Sequence, residues 1–274
     1  MPHIAVIGAG VTGVTTAYAL SKRGSDVTLF DRNRYAGLKT SFANGGPLSA
    51  SNAETWNKVS TILQGLKWMM RRDAPLLVNP KPGWHKYSWM AEFIRHIGNY
   101  EANTLETIRL AMDARKYVFA AAEDENIDFT MHLPTPESRD AAPRVSILDD
   151  ATKIVTSRLG HDRFRVAGAA EFNGYNRDIR NDRIEPLVRW TREQFPRVVT
   201  GRAVAWSGLR PMMPGMLPHV GPGKQRGIFY STGHGHLGWT LSAATAQLTA
   251  DAVAQVDRHA AADRRVATRA ATFI

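Results

Sequence analysis

The 274-residue chain contains no cysteine, which excludes disulfides, thiolate zinc sites and thiol nucleophiles. No apolar run approaches the roughly 20 residues that a membrane-spanning helix needs. There is no internal repeat. Nothing matches a nucleic-acid-binding module, although the formal net charge is +10. The basic excess lies largely in the last third and in Lys67, Arg71 and Arg72, and reads as solvated surface rather than as a site for a nucleic acid. Hydrophobic content of 43% and charged content of 22% are ordinary for a globular protein with a substantial core.

What is present begins almost at once. Ile4 to Ile7 form a short apolar run suited to a strand buried on both faces. Gly8, Ala9, Gly10 and Gly13 follow in G-x-G-x-x-G spacing, and a helix begins there. The first glycine allows a tight turn, the second lets backbone approach a pyrophosphate, and the third lets helix pack on strand. The helix start turns its N–H groups and positive dipole end toward phosphate. Val27 to Phe30 make a second strand, and Asp31 then stands where an acid meets a ribose hydroxyl. Strand, turn, helix, strand and acid together predict dinucleotide binding; the alternative is a glycine-rich βα turn without a ligand. The motif starts at residue 4, which leaves no room for a signal peptide and sets a cytoplasmic location as the expectation.

Farther along, Arg32 to Ser51 reads as a loop and residues 55 to 72 as a helix. An aromatic cluster follows at Trp84, Tyr87, Trp89 and Phe93. Residues 101 to 125 form an amphipathic helix with Leu105, Ile108, Met112, Val118 and Phe119 on its apolar side. His132 to Arg144 is proline- and charge-rich and reads as a linker. Strands are expected at Ile154 to Ser157, Phe164 to Ala167, Val204 to Trp206 and Ile228 to Tyr230. Helices are expected over Glu185 to Phe195 and Thr240 to Val256, the second packing through Leu241, Leu248 and Val253.

Two C-terminal stretches carry unusual chemistry: Trp206-Ser207-Gly208-Leu209-Arg210-Pro211, and Thr232-Gly233-His234-Gly235-His236-Leu237-Gly238-Trp239-Thr240. With the N-terminal glycines, Asp31-Arg32 and the stretch Thr40-Ser41-Phe42-Ala43-Asn44-Gly45-Gly46, they make the chain resemble the small subunits of bacterial D-amino acid dehydrogenases. These belong to the D-amino acid/glycine oxidase flavoprotein superfamily. Lesser similarity runs through Gly65 to Met69, Asp73 to Leu76 and Ala169 to Phe172.

The resemblance implies FAD as cofactor and an α/β fold, α+β overall. A Rossmann-like FAD-binding domain would be built from both chain ends, residues 1–55 and 201–258. Residues 56–200 would hold helices and a reduced substrate domain, and residues 259–274 a tail. By the same resemblance Gly8, Ala9, Gly10, Gly13, Asp31 and Arg32 hold the ADP half, while Thr40, Ser41, Asn44 and Gly45 approach the flavin ring. Gly233, His234, Gly235, Gly238, Trp239 and Thr240 line its pyrimidine side. Arg210 grips the substrate carboxylate, since a planar guanidinium makes two parallel bonds to it. The implied reaction moves a hydride from the α-carbon of a D-amino acid to the flavin, after which the imino acid hydrolyses to a 2-oxo acid and ammonia. His234 is expected to contact the flavin or support the fold. The pair His234 and His236 lacks a third nearby ligand, so no metal site is expected.

Members of the dehydrogenase branch pass electrons to a quinone, and Leu63 to Leu77 has the composition of a segment at a lipid surface. A peripheral contact with the inner face of the cell membrane is the matching expectation; core packing explains the same residues equally well. The chain departs from the family in length, lacking a long stretch between Phe129 and Val145. It also has Lys39 where an acid is usual and Pro47 where a polar residue is common. Two other readings stay open: an internally deleted, catalytically impaired remnant of the family, and an oxidase of glycine- or sarcosine-type amines.

Overall fold

The computed structural model describes residues 3–42, 48–71, 73–127, 141–143, 145–159 and 163–271. It opens with β1 (His3–Ile7), α1 (Val11–Lys22) and β2 (Asp26–Phe30). The strands pair in parallel, with Ile4 opposite Val27 and Val6 opposite Leu29. The β-branched run fixes the strands, and the crossing helix supplies the connection that a parallel pair requires.

The middle contains α2 (Val59–Trp68), β3 (Leu76–Val78), α3 (Trp84–Arg95) and the long α4 (Tyr100–Asp124). An antiparallel meander follows, β4 (Leu148–Asp149), β5 (Ile154–Leu159) and β6 (Arg163–Ala167), and then β7 (Ala170–Phe172), which pairs in parallel with β3. Next come α5 (Asn181–Gln194), the antiparallel pair β8 (His219–Pro222) and β9 (Phe229–Thr232), and α6 (Gly238–Ala271).

The core forms where the two chain ends meet. α1 and α6 pack together through Ala19, Leu20, Ala246, Ala250 and Val253, with Ile4, Val6, Val27 and Phe229 against them. On its other side α6 meets α4: Ala111 packs with Leu237, Leu241 and Ala53, and Ala114 packs with Ala243 and Ala244. Alanine at these crossings lets helix backbones approach closely, so the buried residues are mostly small, with single leucines between them.

That rule overturns the expected face of α4. Leu105, Ile108, Met112 and Phe119 are exposed, while Thr107, Ala111, Ala114 and Ala122 are buried. Leu248 on α6 is likewise exposed rather than packed. The helix expected from residue 55 starts only at Val59, because Thr55 and Asn57 are taken by tertiary hydrogen bonds. The Asn57 side-chain amide donates to the Phe93 and Pro214 carbonyls, both at 3.0 Å, and the Thr55 and Thr104 hydroxyls bond at 2.8 Å. Val204 to Trp206 is not a strand; Val204 is 92% exposed and gains nothing from a sheet. Most of the expected linker lies outside the described residues.

Candidate functional site

The N-terminal turn is built by close approach. A β-carbon on Gly13 would sit 1.7 Å from the Gly8 carbonyl oxygen, so only glycine allows α1 to start directly over the turn. The Gly8 amide donates to the Phe30 carbonyl at 2.7 Å, joining the turn to the end of β2. There Asp31 accepts hydrogen bonds from the amides of Ala9 and Asn33, each at 2.7 Å, and from the Asn33 side chain. These bonds, those of Asn33 and Ala9 foremost, hold its carboxyl below the usual range. Three of its roughly four acceptor positions are used, and the group remains exposed. Arg32, Lys39 and Arg177 line an open recess of about 620 Å³ beside it, with Asn33, Tyr175 and Leu209.

Ser41 ties the turn to the C-terminal end. Its hydroxyl accepts from the Val11 amide at 2.8 Å, in the first turn of α1, and its carbonyl accepts from the Trp239 indole N–H at 3.2 Å. Thr40 next to it donates to the Leu209 carbonyl at 2.5 Å. Thr15 in α1 donates to the Ser242 carbonyl of α6 at 3.2 Å. The glycine turn, residues 40–41, the backbone before Arg210 and the start of α6 thus form one contiguous assembly. Asn44 and Gly45 lie outside the described residues.

The histidine loop is held from two sides. Gly233 has φ +77°, and a β-carbon there would lie 2.4 Å from the Met213 side chain. The Gly235 amide donates to the Pro211 carbonyl at 2.8 Å, and Met212 bridges to His234. His234 is buried against Thr245 at 2.9 Å. The Thr245 hydroxyl is itself aimed at the Leu241 and Ser242 carbonyls, so the imidazole N–H is the donor. Burial pushes its pKa down to about 4. Gly238 opens α6, Thr240 is buried behind it, and Trp239 remains partly exposed.

Arg210 is exposed by surface area, yet enough protein surrounds its guanidinium that desolvation lowers its pKa. Among the described residues no carboxylate offsets its charge. A donor-only cation with no internal partner is suited to an incoming carboxylate.

Sequence reasoning missed the tertiary contacts of Trp56, Asn57 and His236. Trp56 and Asn57 lay inside an apparent helix and gave no signal. His236 was weighed only as half of a metal pair, although it stacks on Trp56 with ring centroids 4.2 Å apart and feels the Arg210 charge.

The donor set fits an FAD. The turn holds the helix start directly over itself, an exposed carboxylate stands at the next strand end, and a glycine loop joins the same assembly.

A family model described as FAD dependent oxidoreductase matches residues 3–135 and 129–252. D-amino acid dehydrogenase 3 of Mesorhizobium japonicum is 40% identical over 401 residues, covering 93% of this chain and 97% of that protein. A D-amino acid dehydrogenase of Dechloromonas aromatica is 26% identical over 404 residues, covering 92% and 96%. The glycine oxidase of Bacillus cereus superposes with a TM-score of 0.53 at 13% identity, covering 94% of this chain and 96% of that one, which is a likeness of fold. The Mesorhizobium match spans 401 residues against 274 here, so that relative carries a long stretch facing no residue of this chain. The two pieces of the family match overlap at residues 129–135, at the start of the expected linker.

Proposed function

The chain belongs to the FAD dependent oxidoreductase family, and on that premise we propose that it oxidises small D-amino acids to 2-oxo acids and ammonia. Gly8, Ala9, Gly10, Gly13, Asp31 and Arg32 would hold the ADP half of the cofactor. Thr40 and Ser41, with Gly233 to Gly235 and Gly238 to Thr240, would hold the flavin half. Bound FAD supplies a two-electron acceptor for the hydride of the amino acid's Cα–H.

The chain's own groups do the positioning. Arg210 takes the substrate carboxylate in two parallel charge-assisted bonds, which fixes the rotation of the amino acid about its α-carbon. Alanine-lined packing of α1, α4 and α6 keeps the glycine turn and the histidine loop in register. His234 is committed to Thr245 and stays neutral, so it holds the loop rather than moving a proton. The observation that carries this reading is Arg210, a cation with no carboxylate partner among the described residues, beside an assembly built from both chain ends.

The test is purified protein supplied with FAD, a set of D-amino acids and a dye as electron acceptor. We expect a flavin absorption band, dye reduction, and release of ammonia and the matching 2-oxo acid. Arg210→Ala is expected to lose at least about 100-fold in kcat/KM while keeping its flavin, the scale expected for a charged, desolvated bond. A colourless, inactive protein would favour the impaired remnant, and turnover confined to glycine or sarcosine would favour the amine oxidase.

A quinone-type acceptor reached at a membrane surface is the second part of the proposal. Val59, Leu63, Leu66 and Met70 fall on one side of the α2 segment, and all are more than half exposed. Lys67 and Arg71 stand among them, the composition of a segment lying on anionic lipid. Among the described residues no helix is long and apolar enough to cross a membrane, so the contact would be peripheral.

A further inference from the structure

The recess beside Asp31, about 620 Å³ in volume, carries three cations and no carboxylate in its lining: Arg32, Lys39 and Arg177, with Asn33, Tyr175 and Leu209. Three separated stretches of chain form its walls, and the backbone of each is pinned. The Gly37 amide donates to the Ala9 carbonyl at 2.8 Å, and the Lys39 carbonyl accepts from the Phe42 amide at 2.9 Å. Thr40 donates to the Leu209 carbonyl, and the Ser207 hydroxyl donates to the Arg177 carbonyl at 2.8 Å. The fold itself thus brings the three cations to one opening.

None of the three takes part in an ion pair among the described residues. Arg32 stands next to Asp31 and helps to lower its pKa, behind the bonds from Asn33 and Ala9, which already occupy both carboxylate oxygens. Like charges around one concavity repel one another and concentrate anions in it. Guanidinium forks match phosphate oxygens in pairs, and an ammonium adds a compact charge. Tyr175, 91% exposed, adds an open aromatic face to the same lining. The cofactor's diphosphate belongs elsewhere, at the glycine turn and the start of α1, and none of residues 8–11 lines the recess.

We propose that this recess is a site for a small phosphate-bearing ligand other than the cofactor, its phosphate oxygens held by Arg32, Lys39 and Arg177 and its ring laid on Tyr175. The ligand class is a nucleoside phosphate: charge at one end, a flat ring at the other, and a size suited to a cavity of this volume. The site does not depend on which amine the protein oxidises.

The test is calorimetric titration of the FAD-loaded full-length protein with pyrophosphate and with ADP, at low and high salt. Both probes are expected to bind, ADP more tightly, and both more weakly at high salt. Lys39→Gln with Arg177→Gln should weaken both probes at least about 10-fold while flavin content stays the same. Lys67→Gln with Lys224→Gln removes the same charge from exposed positions elsewhere and should change neither. Tyr175→Ala should weaken ADP about 10-fold and leave pyrophosphate as it was.

Absence of binding to the FAD-loaded protein overturns the site, as does binding seen only when FAD is withheld, which would put the probes in the cofactor's place. Equal losses in the two double variants would reduce the effect to overall charge and overturn it too. A protein that takes up no FAD refutes the cofactor reading alone, and the same two double variants, titrated without flavin, then decide the recess by the same criterion.

Discussion

The molecule has a closely packed side and an open side. Where α1, α4 and α6 cross, the buried residues are alanine, threonine and single leucines, and the functional loops hang from that block. On the open side, Ile7 is 89% exposed at the end of β1, Leu29 and Phe30 are exposed in β2, and α2 and α3 bury no residue completely. Among the described residues the β1–β2 pair has no further strand beside it. Parallel sheets in proteins of this kind are normally covered on both faces. The Mesorhizobium relative carries a long stretch that faces no residue of this chain. The difference separates two regions. The glycine turn and the histidine loop hang from the helical block of the chain ends and α4, whereas the β1–β2 pair is, among the described residues, left open on one side.

The comparison breaks most severely at Gly13. A methyl group there would have to displace the Gly8 backbone, and backbone cannot give as a flexible side chain can. Gly13→Ala is expected to remove FAD binding and to lower the melting temperature by many degrees, since α1 can no longer start over the turn. Flavin absorbance after desalting, read with a thermal melt, checks this. Full flavin content in Gly13→Ala would show that the packed side does not depend on this approach. The same substitution at Gly65, which has open space around its β-carbon position, is the control and should leave flavin content unchanged.

Much of the packed side was legible in the sequence because its signals are local. The run Ile4 to Asp31 is one unit whose strand, turn and helix are each set by adjacent residues, and the structure has them in place. α4 was also read nearly to its ends. Its buried face was not, because large apolar residues dominate a periodicity count while contact with α6 is made by alanine. The segment before α2 was misread for a related reason. Thr55 and Asn57 are fixed by partners 36 to 157 positions away, and nothing in the local pattern announces such bonds. The β3–β7 pair joins residues nearly a hundred apart and left no signal stronger than two short apolar runs. His236 shows the limit at the site itself: the motif marks the loop, but only the fold shows that one of its histidines bonds to Thr245 while the other stacks on Trp56.

Acid sharpens the comparison, because both buried imidazoles lie on the packed side. Their folded pKa values are about 4 and about 3, against an ordinary value of 6.5. Below pH 6.5 the unfolded chain binds protons that the folded chain refuses, so stability falls as pH drops toward 4. Each group contributes a slope of about 1.4 kcal/mol per pH unit in that window. Asp31 and Asp149, whose pKa values are lowered, weaken the fold only at still lower pH. Urea midpoints are therefore expected to decline steadily from pH 7 to 4.5, and His236→Phe should remove about half of that decline. A flat profile would mean that neither imidazole is held neutral.

The smallest effect belongs to the open side. Leu63 and Leu66 are 55% and 56% exposed, so Leu63→Glu with Leu66→Glu should cost little stability, within about 0.5 kcal/mol for each surface change. If the stripe rests on lipid, two new charges beside Lys67 and Arg71 both remove apolar contact and reduce attraction to an anionic surface. Flotation with vesicles containing anionic lipid should then bring up the unsubstituted protein and leave the double variant behind, with purely zwitterionic vesicles carrying less of either. Turnover with a soluble dye should be the same for both proteins, because α2 holds no residue assigned to the cofactor or the substrate. Equal flotation of the two would remove the membrane role from α2.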